Sequence, residues 1–215
     1  MRGAFDVIVS MKNAFSFFRV LVPKRLRKEV YLFFLNRSIE KLPAREFLNQ
    51  RLVSALAEAG MTRLLFVGTR PYNRSFYREC EAKGLRVWSV DIDSASARWG
   101  APAGHMIGDV RQLDKLAGKL RFDAIIFNGM FGFGINSVED ATQTIRGLIR
   151  TLEPNGVLIV GWNPGLTPDF LAAGELRQML SPTKLGAIPA STEFAPVGES
   201  QSFPHRYDIL RAEIG

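Results

Sequence analysis

Four residues with the chemistry to hold a nucleoside stand at the ends of four apolar runs. Gly68 closes "RLLFVG", Asp91 closes "LRVWSVD", Asp109 closes "GHMIGD" and Asn128 closes "FDAIIFN". A carboxylate accepts both hydrogen bonds of a vicinal diol in one planar contact, which is what a ribose needs. Asp91 lies 23 residues beyond Gly68, near the spacing at which an acid after a second strand holds ribose hydroxyls. Ile92 follows it directly. Asp109 offers an acceptor to the exocyclic amino group of an adenine, and the N–H of Val110 can serve a ring nitrogen. Asn128 and the flexible Gly129 face the other end of such a ligand. Each residue has a simpler reading alone: acids after strands cap the next helix, and Gly68 or Asn128 can serve only a turn. Their order at successive strand ends makes the set more specific than its members.

The elements between these residues decide whether they converge. In an open parallel sheet, ligands sit outside the carboxyl ends of the strands. From Arg63 onward, apolar runs alternate with helical patterns. "NRSFYRECEAKG" is a helix capped by Asn73 and stopped by Gly84. A short segment, "SASARWG", precedes the third strand, and "VRQLDKLAGKL" forms the helix after it. "SVEDATQTIRGLIRTL" turns Ala141, Ile145 and Leu148 inward behind a Ser137–Asp140 capping box. "EPNG" turns into a fifth strand, "VLIVGW". "TPDFLAAGELRQML" is expected as a helix with Thr167 as cap and Pro168 at its first position. "STEFAPVG" and "HRYDILRAEI" then read as two strands with no crossover helix, hence an antiparallel edge. The pattern predicts an α/β three-layer sandwich with a mostly parallel seven-stranded sheet and an antiparallel last strand. Upstream, Pro43 opens a helix whose apolar stripe is Phe47, Leu48, Leu52, Leu56 and Ala59, ending at Gly60.

Bulk properties narrow the class. The chain has 215 residues, 47% of them hydrophobic and 23% charged, as in a folded globule. No stretch reaches the ~18 uncharged apolar residues of a membrane span, and no secretory signal is legible. The lone Cys80 has no internal disulfide partner, which fits a reducing cytoplasm. Its position on a helix, four residues after Phe76, points to packing. The charge is uneven. Residues 1–51 carry 11 Lys+Arg against 4 Asp+Glu, and the remaining residues hold 17 of each sign. The basicity therefore belongs to a helical extension, residues 1–43, attached to a neutral domain, residues 44–215. Met11 is an alternative start. The extension reads as helices over 11–22 and from Pro23 to 42, a lid or dimer surface with a solvated basic face; the alternative is an anionic membrane surface bound through residues 11–41. The expected location is cytoplasmic, with membrane association under that alternative.

Over residues 44–215 the chain resembles the class I S-adenosylmethionine-dependent methyltransferases, whose fold is Rossmann-like. "LLFVGTRPYN" stands where the family has its glycine-rich first motif, "VWSVDID" at the second and "GDVRQL" at the third. "FDAIIFNGMFGFG" and "LEPNGVLIVG" stand at the fourth and fifth. The resemblance implies S-adenosylmethionine as cofactor. Gly68 then approaches its amino-acid portion, Asp91 and Ile92 the ribose side, Asp109 and Val110 the adenine, and Asn128 and Gly129 the methionine end. The family's G-x-G-x-G is here Gly68-Thr69-Arg70-Pro71-Tyr72, so Thr69 and Asn73 are expected to supply polar contacts in place of glycine backbone. Without the glycines that admit a pyrophosphate, a nicotinamide enzyme is disfavoured. The expected acceptor is a small molecule or a sugar hydroxyl, including a lipid-linked glycan of polysaccharide biosynthesis. No Asn-Pro-Pro-aromatic signature follows the fourth strand, which argues against amino methylation of nucleic-acid bases. The alternatives are a catalytically inactive binding protein and an RNA methyltransferase. No metal site is expected and no residue declares itself the catalytic base: His105, Asp169 and His205 qualify by type only.

Overall fold

The computed structural model describes residues 36–197 and 202–213. The helix expected over 11–22 and most of the one expected over 23–42, and with them most of the surface expected to meet a membrane or a second copy, lie outside the described residues.

Residues 36–40 are helical. One longer helical run follows, made of α1 (Pro43–Glu46), a π-helical stretch (Phe47–Leu52) and α2 (Val53–Glu58). Pro43 opens it at the first turn, where its missing N–H costs nothing. β1 (Arg63–Val67), α3 (Asn73–Ala82) and β2 (Arg86–Asp91) come next. A 3₁₀ segment (Ser94–Trp99) leads to β3 (Gly104–Ile107), and a second (Val110–Gln112) runs into α4 (Leu113–Ala117). β4 (Phe122–Asn128), α5 (Val138–Thr151) and β5 (Leu152–Trp162) complete the parallel part. β6 (Leu180–Pro182), β7 (Ser191–Phe194) and β8 (His205–Ala212) close the chain.

The strand order is β3-β2-β1-β4-β5-β8-β6, with β7 also on β8. β1 to β5 pair in parallel, and β8 runs antiparallel to β5, β6 and β7. Order reverses at β1, so β1 and β4 flank the switch point at which ligands of such sheets bind. Pleat alternation explains why the central strands read as unbroken apolar runs. Leu64 and Phe66 of β1, with Ala124 and Ile126 of β4, pack on the face covered by α1 to α3. Leu65, Val67, Ile125 and Phe127 pack on the opposite face, under α4 and α5. Every one of these side chains is buried, so both sheet faces need apolar residues. Asp123 fixes the start of β1 against β4: its Oδ2 accepts from Thr62 N–H, Thr62 hydroxyl and Arg63 N–H. Burial opposes its ionisation, but these donors prevail and hold its pKa below the usual value. Cys80 is fully buried in the core, as its helical spacing implies.

Four expectations change. The sheet has eight strands rather than seven, because the three-residue β6 joins the outer edge of β8 beside β7. The helix expected over 167–180 breaks into a 3₁₀ turn (Phe170–Ala172) and a single α-turn, α6 (Leu176–Met179). Asp169, not Thr167, caps the first piece by accepting from Ala172 N–H. Gly174, with φ of 39°, separates the pieces and lets Phe170 and Leu176 both reach the core. Asn73 is the first residue of α3 rather than its cap, and the cap position, Tyr72, makes no side-chain capping bond. Ser137 does cap α5 through Asp140 N–H, while the Asp140 carboxylate turns to Arg111 instead of closing the box.

Candidate functional site

The turn after β1 carries a single glycine, so side chains must hold it. Gly68 has φ of 81°, a left-handed conformation that a side chain would strain, and a Cβ there would meet Met130 Sδ at 3.4 Å. Asn73 reaches back from α3 and donates from Nδ2 to Gly68 O at 3.0 Å. Its Oδ1 accepts from Arg45 Nη2 at 3.0 Å. Asn73 therefore ties α1 to the glycine turn. Thr69 is fully buried and spends its N–H on Asp91 Oδ2 at 2.7 Å. The Asn73 side chain is thus committed to building the turn, whereas Thr69 gives the turn only its backbone N–H, and its hydroxyl has no partner among the described residues.

Asp91 sits at the end of β2 with its carboxylate largely satisfied. Oδ2 also accepts from Arg70 Nη1 at 3.2 Å, and Oδ1 accepts from Asp93 N–H at 2.9 Å. Arg70, at the family's second glycine position, thus lies across the acid expected to hold ribose. Its own side chain is 56% exposed. Asp109, at the end of β3, caps the next segment through Arg111 N–H. It is also gripped by the Arg111 guanidinium, from Nε at 2.9 Å and Nη2 at 2.6 Å, which holds its pKa below the usual carboxylate range. Arg111 is shared with Asp140. Ile92 is 69% exposed beside Asp91, while Val110 is buried. The two acids are neighbours across the β2–β3 pair, where Gly108 N–H donates to Asp91 O.

A cavity of about 380 Å³ opens across the ends of β1, β4, β5 and β8. Gly68, Asn73, Asn128 and Gly129 line it; Asp91 and Asp109 do not. Of the nine predicted residues, four line the cavity and four lie on the β2–β3 side; the ninth, Thr69, is buried between and bonds Asp91, as does Arg70, which also lines the cavity. The cavity's far wall is made by Arg45 from α1 and by His205 and Tyr207 from β8; the sequence singles out His205 by type only and leaves Arg45 and Tyr207 unread. His205 Nε2 is 3.0 Å from Asn128 Oδ1, and its ring packs edge-on to Tyr207 at 4.7 Å. With Asn128 Oδ1 as acceptor, Nε2 carries the proton and Nδ1 is the basic nitrogen. Burial, and then the charge of Arg45, push this imidazole down to about 4, so it is neutral at pH 7. His105 is structural: its Nδ1 pairs with Ser89 Oγ inside the sheet. Asp169 is the cap described above and lies outside the cavity lining.

Gly161 of β5 lets the Asn128–His205 pair exist. A Cβ there would collide with Asn128 Oδ1 and come within 2.8 Å of Tyr207 Cε1. Gly161→Ala should cost about 1–3 kcal/mol from overpacking, read as a lower denaturation midpoint. It should also displace the His205 ring resonances, because Asn128 must leave its partner.

Chain and cavity can now be set beside known proteins. No protein-family model matches the sequence, and no curated protein matches it. Solved structures do match in fold. The N-methyltransferase NodS of Bradyrhizobium japonicum WM9, in complex with S-adenosyl-L-homocysteine, superposes with a TM-score of 0.58 at 12% identity, over 82% of this chain and 91% of that one. The fold is that of the class I S-adenosylmethionine-dependent methyltransferases. A TehB-like methyltransferase of Corynebacterium glutamicum gives a TM-score of 0.52 at 17% identity, covering 75% of this chain and 88% of its own. TrmN of Thermus thermophilus gives 0.52 at 18%, covering 76% and 48%. The mostly parallel sheet with antiparallel C-terminal strands is what this chain shares with them. Among the described residues no helix is long and apolar enough to cross a membrane, and no cluster of His, Cys, Asp or Glu could hold a metal.

Proposed function

We propose that the chain is an S-adenosylmethionine-dependent methyltransferase acting on a small-molecule or sugar acceptor, at a hydroxyl. The observation that carries this reading is the turn after β1. Its one glycine has a left-handed φ and no side chain between the backbone and the cavity it lines, and the next residue, Thr69, gives its N–H to the Asp91 carboxylate. The residues present fit the cofactor on one condition, that the exposed Arg70 guanidinium yields its place on Asp91. Asp91 would take the ribose, Asp109 and the Val110 N–H the adenine, and Asn128 with Gly129 the methionine end. Bound there, the cofactor supplies a sulfonium methyl group as electrophile. The chain's part is alignment and exclusion of water, worth several kcal/mol of barrier in such displacements. Met130 and Phe203 are among the apolar residues of the cavity wall. His205, held at about 4, is too weak a base to draw a proton efficiently at neutral pH. Its neutral Nδ1 serves instead as a fixed acceptor that orients a donor group.

Calorimetric titration with S-adenosylmethionine and S-adenosylhomocysteine tests the reading, and saturable binding of both is the expected result. A second reading, a binding protein that keeps the architecture without activity, is favoured by one feature: the Arg70 guanidinium already on Asp91. Failure of both ligands to bind would sink the enzyme and leave that second reading.

A further inference from the structure

Arg45 is buried in the wrong company for a structural arginine. It is 8% exposed and lines the cavity. Its Nη2 donates to the neutral Asn73, and its guanidinium stacks on the Tyr72 ring, 4.5 Å from the centroid. Its Nη1 is buried with no hydrogen-bond partner among the described residues. No described carboxylate pairs with it, although arginines elsewhere in the chain are matched to Glu153, Asp109, Asp114 and Asp208. A buried guanidinium without a counter-charge is costly, so natural chains seldom keep one that meets no anion. Among the described residues, the charged or titratable side chains lining the cavity include Arg45, Arg70 and His205, and no Asp or Glu lines it. The Tyr207 hydroxyl, fully buried, also lacks a partner among the described residues. The cavity therefore holds one guanidinium, Arg45, with no described counter-charge, while Arg70, which also lines it, is already matched to Asp91.

We infer that this cavity selects an acceptor carrying a carboxylate or a phosphate, and that Arg45 is the receptor for that group. The inference rests on the methyltransferase reading for the word acceptor, and on Arg45 alone for the anion. The planar guanidinium fork matches carboxylate and phosphate oxygens in geometry as well as charge. An anion seated there would also oppose the Arg45 field at His205 and let that imidazole take a proton more easily. Substrate arrival would thereby make His205 a better base than it is in the empty cavity.

The probes are inorganic phosphate and acetate, titrated into the full chain with and without saturating S-adenosylhomocysteine. The His205 ring is followed by NMR, and Arg45→Met is the comparison. The expected result is a saturable upward shift of at least one unit in the His205 pKa in the parent chain, absent in Arg45→Met. The variant should keep its parent's Tm within a few degrees, because it removes an unpaired buried charge. An unchanged His205 titration at high anion, or an equal response in the variant, overturns the inference. So does a tenfold or greater loss of S-adenosylhomocysteine affinity in Arg45→Met with methylthioadenosine affinity kept, since Arg45 would then hold the cofactor's own carboxylate. Should the parent chain bind no S-adenosylhomocysteine but still show the Arg45-dependent anion response, the methyltransferase reading fails and the anion site stands.

Discussion

Asp91→Ala is expected to weaken S-adenosylhomocysteine binding about 100-fold, while Arg70→Ala strengthens it about two- to five-fold. The first figure follows from losing one charged acceptor shared by two hydroxyl donors, about 3 kcal/mol, at about 1.4 kcal/mol per tenfold. The second follows from counting lone pairs. An ionised carboxylate has about four acceptor sites. Asp91 already serves Thr69 N–H, Asp93 N–H and the Arg70 guanidinium. One site remains, and a vicinal diol needs two. The two backbone donors belong to the folded turns, so the guanidinium is the donor that must yield. Its cost is small: the contact is 3.2 Å long and the Arg70 side chain is 56% exposed, which puts the ion pair in the range of about 0.2–1 kcal/mol. A double-mutant cycle by calorimetry checks the assignment. If Arg70 competes with ribose, Arg70→Ala gains nothing once Asp91 is alanine. If Arg70→Ala weakens binding in the parent chain, Arg70 holds the ligand instead and the competition picture is wrong.

The same turn shows what sequence can and cannot reveal. That β1 ends in one glycine with Arg70 and Tyr72 behind it is plain from the letters; that Arg70 folds back on Asp91, 21 residues away, is a tertiary fact. The parallel strands were legible because burial on both faces demands unbroken apolar runs, as in "FDAIIFN". The stretch from Thr167 to Leu180 deceived because its composition suits a helix. Gly174 was the local signal that it breaks, and packing of Phe170 and Leu176 decided the matter. β6 is three residues ended by a proline and carries no periodicity at all. Arg45 was hidden twice over. It lies in a basic quarter of the chain where arginines look solvated, and what buries it is Asn73, 28 residues later. The available signal was its place with Leu48, Asn49 and Leu52 on one helical face, where all four side chains are buried. Likewise Asn128 could be read as facing a ligand or as a turn residue, but not as the partner of His205, which lies 77 residues on.

That partnership sets the second large effect. Stability of the parent chain should fall by up to about 3 kcal/mol more than that of His205→Gln between pH 6.5 and 4. The imidazole titrates near 6.5 in an unfolded chain and is pushed down to about 4 in the fold, first by burial and then by the charge of Arg45. Between those values the unfolded chain binds a proton that the folded chain refuses, so stability rises with pH across that window. Above about 6.5 neither state is charged at this residue and its contribution is flat. Below about 4 both are charged and it is flat again. Asp109 and Asp123 also carry lowered pKa values, and the stability they add is lost only as the pH falls through the carboxylate range and below. They are present in both proteins, so the difference between the two denaturation curves isolates the histidine. A difference curve without slope from pH 6.5 to 4 would mean that His205 accepts its proton in the folded state. The cavity would then be wetter, or Arg45 more distant, than the packing of His205 on Tyr207 and Asn128 implies. A slope that shrinks in the Arg45→Met background would assign part of the shift to the guanidinium, and the remainder measures burial alone.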